Sequence, residues 1–86
     1  AMNKLIHLPN IDRELEVKLT AAGISNPDEL REKGSRHAFV KIKSMDSSAC
    51  FDMLVSLEGA VQGKLADELE EKEIEELKHF MEIFNR

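Results

Sequence analysis

The 86-residue chain is 42% hydrophobic and 34% charged, with a net charge of −5, a balance that excludes a disordered tail. A chain of this size buries about two-thirds of its unfolded surface at most, enough for one core and hence one domain over residues 1–86. No apolar run reaches the roughly 18 residues of a membrane span, and the lone cysteine, Cys50, excludes an internal disulfide, so the expected location is the cytoplasm.

Ala1 ahead of Met2 reads as the remainder of a removed expression tag and is set aside, with no secretory leader expected. No segment alternates apolar and polar residues over a useful length, so no strands are expected. A first short helix is predicted over Met2 to His7, ending before Pro9, because the residue preceding proline is pushed out of helical geometry. Asn10 or Asp12 then caps a second helix reaching Ala22, with Ile11, Leu15, Leu19 and Ala22 on one face and Gly23 as its left-handed end. A third helix opens with Asn26 as cap, Pro27 at the first helical position and Glu29 in capping-box register, and stops at Gly34. Ser35 is the expected cap of a fourth helix running to about Met45, whose buried stripe is Ala38, Phe39 and Ile42. After a turn over Ser44–Ser48, a fifth helix spans about Ala49 to Gln62. Its stripe is Cys50, Met53, Leu54, Leu57, Ala60 and Val61; Phe51 and Val55 widen it, so it is the expected centre of the domain. Gly59 within it costs about 1 kcal/mol of helix propensity, which predicts another helix packed closely there. Gly63 ends it, and a last helix from about Glu70 to Phe84 aligns Leu69, Ile74, Leu77, Met81 and Phe84. The fold class is therefore all-α, a compact bundle of about five helices.

Charge is distributed unevenly along this frame. Between Arg31 and Lys43, five cations (Arg31, Lys33, Arg36, Lys41, Lys43) stand against Glu32, a local balance of +4. Between Asp67 and Glu76, seven carboxylates stand against Lys72, a balance of −6. The basic stretch is a candidate contact for DNA phosphates, although its cations do not share one helical face and no aromatic is interleaved to stack on bases. The acidic run suits a helix start, where the macrodipole favours carboxylates, and its spread around the helix is a poor metal site.

The segments Leu8-Pro9-Asn10-Ile11, Gly23-Ile24, Leu30-x-x-x-Gly34 and Leu57-Glu58-Gly59-Ala60-x-x-Gly63, in that order and spacing, resemble the C-terminal domain of the TfoX/Sxy family over roughly Leu8 to Leu77. The resemblance implies a helix-hairpin-helix, SAM-like core, no enzymatic activity, and a setting among bacterial regulators of competence for DNA uptake. Asp12 stands where the family often has glycine, Ala66 where it often has an aromatic residue, and Glu70 where proline is common.

In a helix-hairpin-helix element the backbone N–H groups of the hairpin bind a phosphate, which makes Asn10 and Asp12 candidate DNA contacts. The hairpin asks for glycine, because phosphate must approach the backbone closely, and a carboxylate at Asp12 opposes that approach. Phe80 and Ile83 widen the last apolar stripe beyond the needs of one core and are candidate interface residues for a protein partner or self-association. Cys50, lying in an apolar stripe with no histidine at a suitable spacing, is expected to be a buried small hydrophobe. His7, His37 and His79 form no ligand pair, Ser47 and Ser48 lack triad partners, and no glycine-rich phosphate loop occurs. The sequence thus predicts no catalytic residue, metal, cofactor, small-molecule substrate or membrane attachment. It points to a non-catalytic, regulatory interaction module, with a weak DNA-binding domain as the alternative.

Overall fold

Glycine and proline divide the chain where its helices end. The computed structural model describes residues 4–85, and among them there are five α-helices, two 3-10 turns and no strand. The helices are α1 (Arg13–Ala21), α2 (Pro27–Lys33), α3 (Ser35–Met45), α4 (Phe51–Gln62) and α5 (Glu71–Phe84); the 3-10 turns are Leu5–His7 and Ala66–Glu68.

The helix expected over Met2 to His7 is only the 3-10 turn, Met2 and Asn3 lying outside the described residues. Leu8 is extended (φ −80°, ψ 152°), as a residue before proline must be, which leaves too few residues for an α-helix. Leu5 is nevertheless fully buried.

Asp12 caps α1 by accepting from the Leu15 N–H at 2.8 Å. At its other end Gly23 turns left-handed (φ 90°), its N–H reaching Thr20 O while the N–H of Ile24 reaches Leu19 O, so Ile24 drops into the core. Asn26 caps α2 through the Glu29 N–H at 2.9 Å. Glu29 completes the box one residue earlier than expected, accepting from the Ser25 N–H at 2.9 Å and the Ser25 hydroxyl at 2.8 Å. These bonds, the backbone one foremost, hold its carboxyl below the usual carboxylate range.

Two expectations are corrected, the cap at Ser35 and the burial of Cys50. Gly34 (φ 87°), not Ser35, precedes α3; Ser35 is the first helical residue, buried, and its hydroxyl lies 2.5 Å from the Glu58 carboxylate of α4. Cys50 is exposed rather than buried. It caps α4 with an extended backbone (φ −131°), so its side chain leaves the helical stripe that begins in earnest at Met53 and Leu54.

α4 packs against α2, α3, α5 and the Ala66–Glu68 turn, with α3 as its main neighbour. Leu54, Leu57 and Ala60 from α4 meet Ala38, Phe39 and Ile42 from α3, Leu15 and Leu19 from α1, Leu30 from α2 and Leu77 from α5. Each large side chain so enclosed contributes about 1.5–3 kcal/mol. On the periphery, Lys18 of α1 pairs with Asp46 after α3 at 2.8 Å. Asp46 also accepts from the Ser48 N–H and hydroxyl. The Lys18 contact depresses the Asp46 carboxyl and raises the Lys18 ammonium. This pair stabilises the fold at neutral pH, and the contribution falls away in strong acid as Asp46 protonates and in strong base as Lys18 deprotonates.

The neighbour of Gly59 is not a helix. A Cβ there would lie 2.5 Å from Asn10 Nδ2 and 2.7 Å from Lys64 O. Asn10 has a left-handed backbone (φ 68°); its side-chain amide donates to Ser56 O at 3.3 Å and Lys64 O at 2.9 Å, and its carbonyl accepts from the Ala66 N–H at 2.9 Å. Asn10→Ala removes all three bonds and leaves a left-handed alanine, so urea unfolding is expected to show a loss of about 2–4 kcal/mol. Gly59→Ala is expected to destabilise by about 1–3 kcal/mol although alanine is the better helix former. A stabilising Gly59→Ala would contradict the contact.

Candidate functional site

α5 leaves one of its faces partly open to solvent, with Ile83 and Phe84 exposed near its end. Its start is fixed locally: the Glu70 N–H donates to the Glu73 carboxylate at 2.8 Å. That bond, with a smaller contribution from Gln62, holds Glu73 below the usual carboxylate range. Leu77 anchors the helix in the core, with Phe80 and Met81 half-buried beside it. Phe84, expected in the core stripe, lies at its edge. Its ring meets Phe39 edge-on at 6.0 Å and stacks on Phe80 at 6.0 Å, yet it remains 36% exposed. Ile83 is 53% exposed.

Across from this edge, Arg36 of α3 lies over the Phe80 ring, its guanidinium carbon 5.9 Å from the centroid. Between them an open groove of about 600 Å³ follows α5 through Lys72, Glu75, Glu76 and His79 to Phe80 and Ile83. Sequence reasoning singled out Arg36, Phe80 and Ile83 separately, and the structure brings these three together. It missed Lys72, Glu75, Glu76 and His79, although spacings of three and four on one helix carry the signal.

The remaining candidates are dispersed. Asn10 points into the fold, and Asp12 caps α1. Arg31 pairs with Asp28 on its own helix at 3.3 Å. Lys43 donates to the Ser47 and Ala49 carbonyls at 3.0 and 2.9 Å, closing the turn before α4. Lys33 and Lys41 are exposed and, among the described residues, form no ion pair. Also among the described residues, no three His, Cys, Asp or Glu side chains gather as metal ligands. Among the described residues, no helix is long and apolar enough to cross a membrane.

A model of the TfoX C-terminal domain matches residues 1–81. The chain belongs to the TfoX C-terminal domain family. It is 37% identical over 76 residues to the DNA transformation protein TfoX of Haemophilus influenzae, a match that takes in 88% of this chain and 35% of that protein. The chain thus spans about a third of the length of that relative. Among solved structures, an uncharacterized protein from Listeria monocytogenes in a triclinic crystal form superposes with a TM-score of 0.93 at 45% identity, covering 95% of this chain and 93% of that one. A protein of unknown function from the same organism, in a tetragonal form, gives 0.90 at 46% identity, covering 93% and 98%. The TfoX C-terminal fold is thus shared across these bacterial proteins.

The difference between core and open face is measurable within α5. Ile83→Glu is expected to change unfolding free energy by no more than about 0.5 kcal/mol, whereas Leu77→Ala is expected to cost about 2–5 kcal/mol. Equal losses in urea titrations would place Ile83 in the core and remove it from the site.

Proposed function

We propose that this chain is a non-catalytic interaction module, regulatory in role and cytoplasmic, that works by protein contacts on the α3–α5 face. The observation that carries the reading is the open apolar edge formed by Phe80, Ile83 and Phe84, with Arg36 held over it. Exposed apolar side chains adjacent on one helix, beside a half-buried aromatic ring, offer a surface that a protein partner can cover. Membership of the TfoX C-terminal family, and a relative described as a DNA transformation protein, support a setting in the regulation of DNA uptake.

DNA binding is the second reading, favoured by the exposure of Lys33, Arg36 and Lys41. Against it, the Pro9–Asp12 turn keeps the Asn10 side chain for internal bonds and presents the Asp12 carboxylate. Arg31 and Lys43 have partners within the domain. Phosphate neutralisation needs several free cations on one surface.

The two readings separate in one pair of measurements. Titration with a short DNA duplex at low salt and micromolar protein is expected to show no saturable binding. In parallel, tagged protein in its own cells is expected to retain a partner that survives Lys33→Glu with Lys41→Glu and is lost with Ile83→Glu. DNA affinity that falls steeply with salt and vanishes on those lysine reversals would replace the protein-contact reading with the nucleic-acid one.

A further inference from the structure

We draw no further inference here: the strongest candidate, the shallow apolar edge of the α3–α5 groove at Phe80, Ile83 and Phe84, belongs to the site already described, and nothing in the structure shows what covers it.

Discussion

Asn10 holds the left-handed conformation that a tight turn after Pro9 demands, and its one side-chain amide ties that turn to three backbone groups more than forty residues away. Those groups, at Ser56, Lys64 and Ala66, belong to α4 and to the connection leading to α5. A half-buried amide left unpaired costs on the order of 1 kcal/mol or more, so the three bonds support one another. It also requires that nothing project from Gly59, which explains a glycine in the middle of the best-packed helix. This clasp joins the turn that leads into α1 to the end of α4 and to the Lys64–Glu68 segment that leads on to α5.

Much of this was legible in the sequence because caps and stripes are local. Asn26 with Pro27, Gly23 with Ile24, and Gly63 each set a helix end through bonds within a few residues, and the structure places them where spacing put them. The apolar stripes of α1, α3 and α4 were read correctly for the same reason. The misreadings are non-local. Nothing near Asn10 in the chain shows that its amide meets Lys64, or that Gly59 makes room for an asparagine instead of a helix. Ser35 had the residue type of a cap, but the Glu58 carboxylate across the bundle claims its hydroxyl. Cys50 kept the period of the α4 stripe one residue beyond the point where the backbone ceases to be helical.

The candidate site was half legible. The excess of apolar residues at the end of α5 was visible as Phe80 and Ile83, and Arg36 was visible only as one cation among five. What separates Arg36 from Arg31 and Lys43 is tertiary: it lies over an aromatic ring, whereas the other two are bonded within their own segments. The basic stretch therefore does not act as a unit. Its members serve a helix surface, a turn and a groove, and only the last faces an open apolar edge. The same clasp commits the Asn10 side chain to bonds within the fold, and the open apolar edge lies elsewhere, on α5.

The most direct measurement of this central claim is hydrogen exchange by NMR at the Asn10 side-chain amide and the Ala66 backbone amide, with and without duplex DNA. Both are expected to exchange as slowly as amides buried in α4 and to keep their chemical shifts when DNA is added. Exchange at open-chain rates, or a shift of the Asn10 amide on adding DNA, would show that the turn is free to read a ligand and would contradict the account.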